Sequence, residues 1–178
     1  MKMRFMILLN LMCSISSFAS CGSAGGNAVK YVVMPDSCVY GQLGKSMSEI
    51  LFCPSKVTCY TILGKDSVGK EDYELEAHYV RDSLVCRLTA AQIGMLQFML
   101  LADEENYKED SVKVRSPYVP AVEFCFERRK MQPVHVLISL SDFSWSILYD
   151  DKKQGNWNYA DKRLMERYCK MILGENIK

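Results

Sequence analysis

Residues 121–149 read AVEFCFERRKMQPVHVLISLSDFSWSILY, and their alternation decides the fold. Val122, Phe124 and Phe126 fall on one side of a strand. Val134, Val136, Ile138 and Leu140 do so on the next, leaving His135, Leu137 and Ser139 on its other side. A side-chain period of two is the mark of a β-strand, and residues 144–149 complete a third. The linkers at 128–133 and 141–143 are too short for a parallel crossover, so the three strands form an antiparallel meander. One apolar and one more polar face predict a sheet packed on one side.

Upstream, Thr89 precedes an apolar pattern and Gln92 follows three residues later, a capping-box signature. Ile93, Leu96, Leu100 and Leu101 then repeat as a helical stripe. Met95, Phe98 and Met99 widen it, so the helix is expected to be covered on more than one side. The acidic run Asp103-Glu104-Glu105 should end it in solvent. Earlier still, strands are predicted at 31–34, 57–63, 73–80 and 83–88, with Arg81-Asp82 as a turn. Gly41 to Gly44 reads as another turn, and 47–52 fits either a strand or a short helix stopped by Pro54. Ser116-Pro117 and Val119-Pro120 mark a rigid extended loop. Downstream, 150–156 reads as a polar turn. A last helix follows, with Asn158 as N-cap, Asp161 in its first turn, an apolar stripe of Leu164, Tyr168, Met171 and Ile172, and Gly174 just past its end. The expected fold is α+β: an antiparallel sheet with a C-terminal three-stranded meander, covered on one face by two helices. Residues 30–178 form a single domain of ordinary size.

The N-terminus carries a different signal. Lys2 and Arg4 form a positive head, residues 5–12 an apolar stretch, and 14–21 a small-residue tail. Phe18-Ala19-Ser20-Cys21 resembles the lipobox of bacterial lipoproteins, with Phe18 standing where that family has Leu. The resemblance implies removal of residues 1–20, a diacylglycerol group on the sulfur of Cys21, and a cell-envelope location at the outer membrane facing the periplasm. Cleavage after Ala19, releasing a soluble secreted protein, is the alternative. Residues 21–29 then hold the lipidated cysteine and a Gly/Ser-rich spacer. The whole chain also resembles small Bacteroides-type lipoproteins, a likeness that implies no particular activity.

The chain has 22 basic and 21 acidic residues, and two of the basic ones lie in the leader. A near-neutral remainder gives no support for nucleic-acid binding. Eight cysteines are present. Removal of Cys13 and lipidation of Cys21 leave an even set, Cys38, Cys53, Cys59, Cys86, Cys125 and Cys169, in an oxidising compartment. At least one disulfide is therefore expected, with buried thiols as the alternative.

Motifs for chemistry are sparse. Cys53 and Cys59 form C-x5-C, with no C-x-x-C and no H-E-x-x-H, and only His78 and His135 are available, so no metal site and no cofactor are expected. Cys125 and His135 lie on adjacent strands of one hairpin and can approach each other, without a nucleophile signature around them. Ser139, Ser141 and Ser144 read as hairpin-turn serines. Residues 41–46 lack the first glycine of a phosphate loop. Asp150-Asp151 and Glu104-Glu105 read as solvated acids, and Asp142, Asp150 and Asp151 lack EF-hand spacing. Phe143, Trp145, Tyr149, Trp157 and Tyr159 cluster near the C-terminus. Core packing is one reading; an aromatic patch built on Trp145, Trp157 and Tyr159 for a sugar or protein partner is the other, with Trp157 expected to be partly exposed. The leading functional expectation is a membrane-anchored, non-enzymatic module that binds another envelope or extracellular protein. A small extracytoplasmic hydrolase and a sugar-binding or adhesion module are the alternatives.

Overall fold

The computed structural model describes residues 33–63, 80–108 and 120–174. It contains an open six-stranded antiparallel sheet with three helices, an α+β arrangement. The chain runs α1 (Ser37–Phe52), β1 (Lys56–Leu63), β2 (Val80–Arg87), α2 (Ala90–Leu96), β3 (Val122–Glu127), β4 (Val134–Ile138), β5 (Ser144–Tyr149), β6 (Lys152–Asn158) and α3 (Lys162–Leu173). In space the strands lie in the order β2-β1-β3-β4-β5-β6.

The C-terminal strands form the expected meander, with β6 as a fourth member. The expected polar turn contracts to Asp150 and Asp151, both at positive φ (54° and 55°), between Tyr149 and Lys152, which face each other across the hairpin. A two-residue turn with both residues left-handed matches the twist of its strands, so the chain re-enters the sheet at once. Asn158 consequently ends β6. Asp161 caps α3 instead, accepting from the backbone N–H of Leu164 at 2.9 Å. The buried face of α3 is Met165, Tyr168, Cys169 and Ile172, whereas Leu164 and Met171 point to solvent.

On the N-terminal side the sequence reading needs three corrections. Residues 37–52 form a helix where a turn and an undecided segment were expected; Gly44, at φ 71°, is a break inside it rather than its end. Val33 and Met34 are not in a strand, and the nearby Asp36 N–H instead bonds the Ala102 carbonyl. Arg81 and Asp82 lie within β2, where Thr61 Oγ1 donates to Asp82 at 3.1 Å. Charged residues suit β2 because it is an edge strand, most of it exposed. Of the strand expected at 73–80 only Val80 lies within the described residues, and it opens β2. The proline loop near 116–120 is outside them except for Pro120.

Thr89 and Gln92 form the expected capping box, the Thr89 N–H donating to Gln92 Oε1 at 2.8 Å. α2 then widens into a π-turn over Gln97–Leu101, closed by Ala102 N–H to Gln97 O. Leu96, Leu100 and Leu101 are fully buried. The wide turn rotates Phe98 outward, 73% exposed, so this helix is not covered on its second side as expected. It also drives Gln97 inward, where its amide donates to the Leu51 carbonyl at 2.7 Å.

All three helices share one core with Val57, Cys59, Val122, Phe124, Phe126, Val134, Val136, Ile138, Trp145 and Ile147, the residues of one sheet face. The opposite face carries a smaller apolar cluster of Ile62, Leu137 and Leu148, to which no helix among the described residues contributes. Among the described residues no helix is long and apolar enough to cross a membrane.

Candidate functional site

Period-two alternation in β3 puts Phe124 and Phe126 in the core and turns Glu123 and Cys125 to the opposite face of the sheet. Antiparallel register sets His135 of β4 directly opposite Cys125 and one step from Glu123. The three donor atoms lie within 4.8 Å of one another. A fourth member comes from the sheet edge. Arg81 of β2 lays its guanidinium over the Tyr60 ring, 4.3 Å from the centroid, and reaches past β1 to Glu123. There Nε donates to Oε2 at 2.7 Å and Nη2 to Oε1 at 2.5 Å. His135 Nδ1 donates to the same Oε1 at 2.7 Å.

Glu123 is fully buried, whereas the side chains of Arg81 and His135 are 40% and 23% exposed. Burial works against the Glu123 carboxylate, but hydrogen bonds from His135 and Arg81 outweigh it and hold its pKa below the ordinary value. Burial likewise works against a charged His135. Its contacts with Cys125 and Glu123 prevail, and its pKa is pushed up to about 9. At neutral pH Arg81, Glu123 and His135 thus form an ionised network drawn from three strands.

Beside it lies a cleft of about 540 Å³, lined by Arg81, His135, Gln132, Pro133, Leu148 and the Asp150–Asp151 turn. Cationic, anionic and apolar side chains all line it. Cys125, opposite His135 in the sheet, is buried.

The expected aromatic patch is not on the surface. Trp145, Trp157 and Tyr159 are all buried, Trp157 being only 4% exposed. Trp145 and Trp157 face each other across β5 and β6 with ring centroids 4.9 Å apart, and Tyr107 packs 5.0 Å from each. Trp145 Nε1 donates to Asn106 O at 2.7 Å, and Tyr159 Oη to Ser139 O at 3.0 Å. Trp157 is inside because residues 152–158 are a strand rather than a turn. Cys21 lies outside the described residues.

The six cysteines from Cys38 onward that were expected to include a disulfide are free thiols in this structure, although Cys59 and Cys86 stand opposite each other on β1 and β2. Ser139 and Ser141 share a hydrogen bond and Ser144 donates to Asp142, as hairpin-turn serines do. Asp142 and the Asp150–Asp151 pair flank β5 at opposite ends, so they form no common calcium site. The Cys125–His135 approach was legible from the hairpin. Glu123 was missed although alternation in β3 sets it on the same face as Cys125, two residues away; Arg81 left no such signal, because it arrives from a distant edge strand. The same neighbourhood supplies a mixed metal-donor set that linear motifs do not reveal.

No family model, no curated protein and no solved structure is significantly similar to this chain.

Proposed function

We propose that the protein is a lipid-anchored binding module of the cell envelope, tethered through Cys21, that holds a segment of another envelope or extracellular protein in the cleft beside β4. The observation that carries this reading is the layout of that cleft. Arg81, His135, Asp150 and Asp151 line it together with Pro133 and Leu148, so both signs of charge and apolar surface meet in one cleft. A polypeptide segment with both charges and an apolar residue complements such a surface, and opposed charges fix its orientation. The burial of Cys125 favours binding over hydrolysis, since a nucleophile has to be reached by its substrate. Trp145, Trp157 and Tyr159 are buried and offer no ring face to a sugar, which supports a protein segment as the ligand.

Two measurements test the reading. Cys21→Ala should abolish fatty-acid labelling and move the protein from the membrane to the soluble fraction; unchanged partitioning would refute the anchor. A photo-crosslinking residue at the exposed Gln132 should capture a defined protein in native envelopes, whereas the same residue at Lys170, on the exposed side of α3, should not. Equal capture from both positions, or none from Gln132, would refute the cleft as the binding surface.

A further inference from the structure

We propose that Glu123, Cys125 and His135 together form a binding site for one zinc-class divalent cation. This does not depend on the anchor or on the contents of the cleft.

The donor set is the first argument. A thiol, an imidazole and a carboxylate are the three side chains that zinc uses, and three protein donors with a fourth position left for water is a familiar tetrahedral arrangement. The three are held by two adjacent strands in fixed register, with donor atoms within 4.8 Å. Metal–donor bonds of ~2.0–2.3 Å place tetrahedral donors ~3.3–3.8 Å apart, a change that side-chain rotation supplies. The second argument is the sulfur. Arg81, Glu123 and His135 make an ion network, and the imidazole of that network also contacts the Cys125 sulfur. Cys125 is thus a buried soft donor beside the imidazole and the carboxylate, placed to share one cation with them.

Charge and protons also balance. On binding, the Cys125 thiol and the coordinating imidazole nitrogen each release a proton to solvent, and no electron is transferred. The resulting thiolate and carboxylate offset the two positive charges of the ion. Arg81 need not leave: Nε keeps Oε2 while Oε1 turns to the metal, so the guanidinium becomes the outer partner that orients a ligating carboxylate.

The test uses the full chain, purified metal-free under reducing conditions and titrated with zinc against a chromophoric chelator, then with cobalt(II). One zinc per chain is expected, and cobalt should give a near-ultraviolet thiolate-to-metal charge-transfer band. Cys125→Ser should abolish that band and weaken zinc binding by more than the ~10–100-fold that loss of an outer partner costs; Arg81→Ala should fall within that range. Cys59→Ala should leave both unchanged. Absence of the band in the unaltered protein, or stoichiometric zinc binding that survives Cys125→Ser, would overturn the proposal. The cobalt spectrum of the unaltered chain decides the matter even if a variant fails to fold.

Discussion

Arg81 and Glu123, 42 residues apart in sequence, form a two-pronged ion pair that crosses the whole width of β1. The partners are unequal: Glu123 is sealed off, whereas much of the Arg81 side chain meets solvent. Removing the arginine therefore harms the fold more than its own exposure suggests, because it leaves a buried carboxylate with His135 as its remaining charged partner.

Arg81→Ala should destabilise the metal-free protein by ~2–3 kcal/mol, below the usual cost of breaking a fully buried pair because the guanidinium is partly screened. Lys56→Ala, which removes the exposed partner of Glu127, should cost under ~0.5 kcal/mol. Urea unfolding of both variants checks the contrast; equal losses would show that the Glu123 cluster bears no special share of stability.

The same cluster sets a pH window. The folded pKa of His135, about 9, lies above its ordinary value of 6.5, so its contribution is complete below 6.5 and lost as pH rises through 9. Glu123 is shifted the other way from 4.5, so its contribution is complete above that value and lost as pH falls through its lower folded pKa. Chelator-treated protein should thus be most stable between about pH 5 and 6.5 and weaken toward pH 9. His135→Gln should flatten the alkaline limb in a series of urea midpoints.

Gly155 is required by Trp157. A Cβ at Gly155 would stand 2.0 Å from Cζ2 of the Trp157 ring, which lies across the glycine. Gly155→Ala should cost at least the ~1–3 kcal/mol typical of overpacking, and Trp157→Ala ~3–5 kcal/mol. The double variant should lose less than the sum, since the clash disappears with the ring. Additive losses in thermal unfolding would show that the two residues are independent.

Native thiols should react in order of burial. Cys38 is exposed, Cys53 and Cys86 are half-buried, and Cys59, Cys125 and Cys169 are buried. Burial pushes the Cys169 pKa up to about 12 and raises that of Cys59 as well, which suppresses the reactive thiolate. Mass spectrometry after brief iodoacetamide treatment should find Cys38, Cys53 and Cys86 labelled first among the six. Cys59 or Cys169 keeping pace with Cys38 would contradict the packing.

Local sequence determined what depends on neighbours along the chain. Alternation in 121–149 specified three strands and their antiparallel order, because short linkers permit nothing else. Thr89 and Gln92 specified where α2 begins, because a capping box is closed by residues three apart. Tertiary structure decided the rest. Residues 152–158 are too polar to announce a strand, and they become one only because Trp157 finds Trp145 across the hairpin. Residues 37–52 are helical because Val39, Leu43, Ile50 and Leu51 reach the shared core. The candidate site is the clearest case: alternation alone sets Glu123 beside Cys125 and the hairpin brings His135 to them, but Arg81 arrives from β2 through a sheet order in which strand neighbours are not sequence neighbours. No spacing rule encodes that approach, because its distance is set by strand pairing rather than by the chain between the partners.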